Sequence, residues 1–476
     1  MDRSAGVLMH ISSLPNDYLC GNFGRTAYEF VDFLADSGFK YWQVLPFFMP
    51  DNYFSPYMPI SSYLGNPYFI DLEALNKEGL ITSEELLLEK NSNYTCCEFE
   101  KLQLTRNMLL KKAALRTEDK NAVKVFLEKN PEIKKAVNFY CLYLKNNGRN
   151  ISEWKINDVS DEELFDQQFI QYVFYTQWNK LHNYAISRGI KIIGDLPFYV
   201  APISSDVYYN KDEFLLNKDY TPKAVAGVPP DYFSKDGQLW GNPLYNFKKM
   251  EKNGFKYFKD KFTHLLNMFD GIRLDHFRAF SDFYAVPFNS ESAKSGKWIK
   301  GPGTKLTGII NSLAKNKLII AEDLGTIDDR VRELVNTSGF PGMAVFQFGF
   351  DGNFYNPHLP HNYKQNLVAY TGTHDNNTTL GFMWEADAAT KNFVMDYIGM
   401  KSDNLDFSVD AIIRTLMRSN ANLVILPIQD ILAFGADTRM NTPGKADNNW
   451  RFRVTKDQLK NINRDYFKRL NQMYSR

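Results

Sequence analysis

The sequence is short of cysteine, and neither sign of charge is in excess. Four cysteines (Cys20, Cys96, Cys97, Cys141) fall without CxxC or metal-ligand spacing, and the adjacent pair suits no disulfide framework. Free thiols in a reducing compartment are expected. Fifty-six Lys and Arg stand against 55 Asp and Glu, a net charge of +1, so nothing points to nucleic acid, a membrane surface or a polyanionic substrate. A neutral ligand is implied. No uninterrupted apolar run is long enough to span a bilayer, and the opening MDRSAGVLMHISSLP has too short an apolar stretch for a signal peptide. The reading is a soluble, cytoplasmic protein. Low-complexity linkers are missing, as are internal repeats beyond an alternation of strand and helix, which favours one cooperative body. GPGTK (301–305) and PGKAD (443–447) lack Walker spacing and read as turns. His358 and His361 in PHLPH have no third ligand nearby and read as loop residues. No metal and no cofactor is expected.

What is present is a large apolar inventory, 44% of 476 residues, with 15% aromatics. Eight short apolar, β-branched runs can be marked: 6–12, 41–47, 191–197, 271–276, 318–325, 343–350, 367–375 and 423–430. Helix-period segments lie between several of them. TAYEFVDFLADSG sets Tyr28, Val31, Phe33 and Leu34 near one face, and TIDDRVRELVNTSG opens with Thr326 and Asp329 in capping-box spacing and closes at Gly339. Eight strands alternating with helices predict an α/β fold, a (β/α)8 TIM barrel. A plain barrel takes about 250 residues, so about 200 remain for insertions on its rim. They are expected as a mostly helical insertion at 76–185, between strands two and three, and a loop-rich one at 201–250, between strands three and four. The whole of 1–476 then reads as a single catalytic domain.

Functional side chains of such barrels come from the C-terminal ends of several strands. Here those ends carry Asp195, Arg273, Asp275, His276, Glu322, Asp323, His374 and Asp375. Strand alternation puts Arg273 and Asp275 on one face, so the arginine can hold the aspartate ionised, with Leu274 turned toward the helix layer. Carboxyl groups converging on a barrel mouth, with no serine or cysteine nucleophile motif, suit cleavage of a glycosidic bond. That chemistry needs an ionised carboxylate beneath the anomeric carbon, which fits Asp275, and a protonated one beside the leaving oxygen, which fits Glu322. Plainer readings stand beside these. Arg273 and Asp275 could be a structural ion pair, Glu322 and Asp323 a helix cap, and His374 to Asn376 a polar turn. Trp240, in a long loop, could stack on a sugar or pin the loop to the barrel.

The motifs GVLMHISSLP, YWQVLP, SPYMPISSYLGNPYFIDL, IIGDLPFYV, AGVPPDYFSKDGQLWGNPLY, GIRLDHFR, AEDLG, PGMAVFQF, YTGTHDNNTTLG and MNTPGKADNNW occur in order along the chain. Together they resemble the amylomaltases, the 4-α-glucanotransferases or disproportionating enzymes of the α-amylase clan. That resemblance implies a barrel with rim subdomains and no separate C-terminal β-domain. The implied activity moves α-1,4-glucan segments between donor and acceptor glucans (maltooligosaccharides, amylose, glycogen) through a covalent glycosyl-enzyme intermediate. It further implies Asp275 as nucleophile, Glu322 as general acid and base, and Asp375 as the third carboxylate gripping the distorted sugar. Arg273, His276, Asp195 and His374 match supporting residues around that sugar. Tyr57, Ser55 and Asn66 belong to the motif after strand two, and Trp240 and Asn242 to the groove-lining loop. The chain departs from the pattern at Ala279, where glycine is usual, at Asn377, where an acidic residue is frequent, and in MPISSYLG, which replaces a more polar stretch. Rival functions are an α-glucan hydrolase and an inactive glucan-binding protein. The second would be expected to lack a catalytic carboxylate.

Overall fold

A computed structural model describes every residue except 1, 52, 92, 231–234, 401–404 and 446; the DYFS of the groove-loop motif and Ala446 of PGKAD thus lie outside the described residues. Eight short strands build the core: β1 (Ser4–Leu8), β2 (Tyr41–Gln43), β3 (Lys191–Leu196), β4 (Gly271–Leu274), β5 (Leu318–Ala321), β6 (Gly342–Val345), β7 (Leu367–Tyr370) and β8 (Leu423–Pro427). They are buried almost throughout, as parallel strands covered on both faces must be. Pairing is parallel everywhere, in the order β6-β7-β8-β1-β2-β3-β4-β5. The last gap, between β5 and β6, is bridged by the Ala321 N–H donating to Pro341 O (2.9 Å) and the Met343 N–H donating to the Asp323 carboxylate (2.7 Å). Asp323 thus takes the place of a ladder partner and completes the barrel of the (β/α)8 fold.

The regular strands are shorter than the apolar runs that mark them. Pairing stops at the mouth, and the polar tails of 271–276, 318–325 and 367–375 leave the sheet to form its rim. The helix after β5 runs Asp329–Ser338 and is capped by Asp328, which accepts from the Arg330 and Val331 N–H groups; Thr326, the cap read from the sequence, instead gives its carbonyl to Arg278. A carboxylate accepting two backbone N–H groups is the stronger cap. Gly339 closes that helix in the left-handed region (φ 73°), as its position suggests.

Between β2 and β3 the chain forms helices that include Phe99–Arg116, Lys120–Lys129, Pro131–Lys145 and the long Asp161–Ser187. Phe174 and Trp178 of the last meet Phe23, Phe47 and Phe269 in edge-on and tilted contacts, an aromatic seam between the helix and the barrel. Much of the aromatic content is spent in this way on the core. A second, antiparallel sheet stands on the rim in the order Gln238–Pro243, Ala224–Val228, Asp282–Pro287, Lys297–Lys300. It joins chain from the β3–β4 connection to chain from the β4–β5 connection, and so braces the side of the mouth where Arg273 and Asp275 emerge.

Gly6 marks how tightly the barrel is packed. A Cβ there would fall 2.6 Å from Tyr41 O and 2.8 Å from Ile425 Cδ1, both on adjacent strands. Gly6→Ala is therefore expected to destabilise the fold by about 1–3 kcal/mol. The measurement is the thermal unfolding midpoint, and an unchanged midpoint would refute this close approach.

Candidate active site

One guanidinium organises the mouth. Register pairs Asp195 on β3 with Arg273 on β4, and the two-residue period returns Asp275 to the same face. Arg273 Nη1 donates to both Asp195 oxygens (2.9 Å each) and to Asp275 Oδ1 (3.0 Å), and Nη2 stands 4.0 Å from Glu322 Oε2. Arg273 is 3% exposed. Burial opposes its charge, but Asp195 and Asp275 hold its pKa well above the usual arginine range. Burial likewise pushes the Asp195 carboxyl up, with Arg273 pulling the other way. The ion pair thus stands at the centre of the candidate site.

Glu322 follows β5 directly. Its Oε2 accepts the His276 N–H (2.6 Å) and its Oε1 the Leu324 N–H (3.0 Å). His276 makes the first bond possible by adopting the left-handed region (φ 49°), a strained conformation for a residue with a Cβ. Burial pushes the Glu322 carboxyl up to about 8, against the pull of Arg273 and with Asp275 adding to the rise. Near neutral pH it therefore carries a proton, although two N–H groups and a guanidinium surround it. The His276 ring is lowered to about 4 by burial and stays neutral; Trp240 meets it edge-on at 4.8 Å.

On the opposite wall the Tyr57 hydroxyl donates to Asp195 Oδ2 (2.8 Å), and its ring stacks on His374 at 5.0 Å. His374 Nε2 lies 3.2 Å from Asp375 Oδ2, and the Asn441 amide donates to Asp375 Oδ1 (2.6 Å). Partial enclosure would raise the Asp375 carboxyl, but His374 and Asn441 hold it well below the usual carboxylate range. Asp195, Arg273, Asp275, Glu322, Tyr57, His374 and Asp375 are thereby joined through direct contacts, with His276 and Trp240 at their edge.

Three residues of the groove motifs bond elsewhere. Ser55 Oγ accepts the Tyr57 N–H (3.3 Å), Asn66 caps a short turn by accepting the Tyr68 N–H (3.0 Å), and buried Asn242 donates to Val200 O (2.9 Å). Asp323, adjacent to Glu322, points away into the barrel closure, where burial pushes it up to about 6. His358 accepts the Val345 N–H, and His361 bonds to Tyr397. Sequence reasoning missed Asn441 and Trp450. Trp450 has its ring 5.7 Å from Tyr57 and 6.0 Å from His374. Both lie in MNTPGKADNNW, beyond the last strand, where no strand end signals them.

The arrangement offers a carboxylate ion-paired at the mouth, a neutral carboxylic acid on the neighbouring strand, and a third carboxylate across from them. Residues 9–459 match the family Glyco_hydro_77, 4-alpha-glucanotransferase. The chain belongs to this 4-alpha-glucanotransferase family. Its relatives include the 4-alpha-glucanotransferase of Clostridium butyricum, 39% identical over 98% of this chain and 100% of that one, and that of Aquifex aeolicus, 37% identical over 100% and 99%. Among solved structures, an amylomaltase from Streptococcus agalactiae in complex with acarbose superposes with a TM-score of 0.95 at 34% identity, covering 100% of this chain and 99% of that one. Ala279 is fully buried, and Asn377 donates to Glu385 (2.8 Å). Among the described residues, no helix is long and apolar enough to cross a membrane.

Proposed function

We propose that this chain transfers α-1,4-glucan segments between maltooligosaccharides by a retaining double displacement, with Asp275, Glu322 and Asp375 as its catalytic carboxylates. Asp275 attacks the anomeric carbon; the bond from that carbon to the leaving 4-oxygen breaks, and that oxygen takes the proton of Glu322. The 4-hydroxyl of an acceptor glucan then returns a proton to Glu322 as its oxygen displaces Asp275, which restores the enzyme without consuming water. Asp375, with His374, grips hydroxyls of the sugar at the cleavage point. Arg273 and Asp195, with Tyr57 and His276, hold the nucleophile side in place, and Trp240 offers a face to the glucan. Ser55, Asn66 and Asn242 support the groove through the backbone they brace.

The observation that carries this reading is the asymmetry around Arg273. Its Nη1 donates to Asp275, whereas Glu322, at 4.0 Å from Nη2, keeps a carboxyl raised to about 8. An ion-paired carboxylate beside a protonated carboxyl on the neighbouring strand is what a retaining glycosidic transfer uses. The α-glucans named above are taken as donor and acceptor, consistent with the family and with a streptococcal relative in complex with acarbose. We take the whole chain as one catalytic barrel domain, with 76–185 and 201–250 as insertions, working in the cytoplasm, where its four free thiols suit a reducing milieu.

Incubation of the purified protein with maltotriose tests the reading. Transfer yields glucose together with maltooligosaccharides longer than the substrate and leaves the number of reducing ends constant. A steady gain of reducing ends would make the protein a hydrolase, and unchanged maltotriose would leave it a glucan-binding protein.

A further inference from the structure

We propose that Asp430 is a positioning residue for transfer: its buried carboxylate holds both ends of the loop that presents His374 and Asp375 to the sugar. The inference rests on the reading of Asp375 given above. Asp430 stands just beyond β8 in the turn Ile428–Ile431 and is 2% exposed. The chain leaves β7 at Tyr370, crosses the mouth as residues 371–378 and descends as the helix Thr379–Glu385. At the near end, Thr371 Oγ1 donates to Asp430 Oδ2. At the far end, the Thr379 N–H donates to Oδ1 (2.7 Å) and Thr379 Oγ1 to Oδ2 (2.8 Å). Both threonines are fully buried. A carboxylate removed from water persists only where its lone pairs are filled, and here all three donors come from the two ends of one functional loop.

The stretch between those ends is stiff in itself. Asn376 Oδ1 accepts the Thr373 N–H (2.9 Å) and the Thr373 hydroxyl (2.8 Å), closing the turn around His374 and Asp375. A turn closed by its own bonds moves as a body, so its place over the mouth is set where it joins the barrel, at Thr371 and Thr379. A small cavity of about 20 Å³, room for about one water molecule, lies beside the turn, lined by His10, Thr373, His374, Asn377, Asp430 and Arg439. Without its anchor nothing on β8 fixes the two ends of the turn, so the Asp375 carboxylate can drift off the sugar, and a misplacement of about 1 Å costs about 10²-fold in rate.

Asp430→Asn keeps the volume of the side chain but replaces one acceptor oxygen with a donor. In the maltotriose assay its kcat is expected to fall about 10- to 100-fold with little change in KM. A carboxylate that only stabilises the fold would not reproduce a second feature, which is coupling to Asp375. Because Asp430 acts through the loop, Asp430→Asn should cost far less in an Asp375→Asn background than alone, the remainder being what it exerts through His374, followed at enzyme concentrations that reveal residual turnover. Losses that multiply in the double variant, or wild-type kcat in the single one, would overturn the proposal. Should Asp430→Asn fail to fold, Thr371→Val removes one donor, leaves the carboxylate in place, and must show the same drop in kcat and the same coupling. The Asp375→Asn control separates the two levels. If it transfers at the wild-type rate, the reading of the site is wrong; if it is crippled while Asp430→Asn is normal, only the present inference falls.

Discussion

Asp275→Asn is expected to lose transfer from maltotriose by on the order of 10⁴-fold or more, the scale on which removal of a covalent nucleophile falls. The amide oxygen cannot form the glycosyl ester, and nothing else on the strand can replace it: Leu274 is buried and the His276 ring is turned toward Trp240. The variant should still fold. Arg273 keeps its two bonds to Asp195, so no buried charge is left without a partner. The result is read as disappearance of both glucose and longer maltooligosaccharides at unchanged circular dichroism. Near-normal transfer by Asp275→Asn would remove the nucleophile from the scheme and leave Arg273 and Asp275 as the structural pair they also resemble.

That ambiguity shows what the sequence alone could carry. The barrel strands were legible because parallel strands buried on both faces read as unbroken apolar runs, and their tails were legible because carboxylates directly after such runs have few structural uses. The pairing of Asp195 with Arg273 was not. It depends on the register between β3 and β4, strands separated by the β3–β4 connection, and register is a property of the closed barrel. The rim sheet was hidden for a different reason. Gln238–Pro243 and Lys297–Lys300 are partly exposed and carry no apolar run, so they become strands only by pairing with Ala224–Val228 and Asp282–Pro287. Asn441 illustrates a third limit. It meets Asp375 across 66 positions of sequence from an irregular segment, and no periodicity marks it. Asp430 was visible as the end of the eighth run, but its use at the two ends of the His374 loop required the fold.

Glu322→Gln is expected to lower kcat by about 10²–10⁴-fold while leaving the protein folded, since the near-isosteric amide adds no charge and its oxygen can still accept one of the His276 and Leu324 N–H groups. The pH dependence carries the finer test. Burial lifts the Glu322 carboxyl to about 8, so below that pH the free enzyme holds the proton that the leaving 4-oxygen needs. As pH rises through about 8 the proton is lost, and kcat/KM for maltotriose should fall on an alkaline limb set by this group. A donor whose leaving group needs no proton separates the two carboxylates. With α-maltosyl fluoride, formation of the glycosyl-enzyme should survive Glu322→Gln far better than transfer from maltotriose does, and its alkaline limb should vanish, whereas Asp275→Asn should release no fluoride. The measurement is fluoride release against pH for the three proteins. An alkaline limb that persists unchanged in the Glu322→Gln variant would assign the proton to another group, and with it the role of acid.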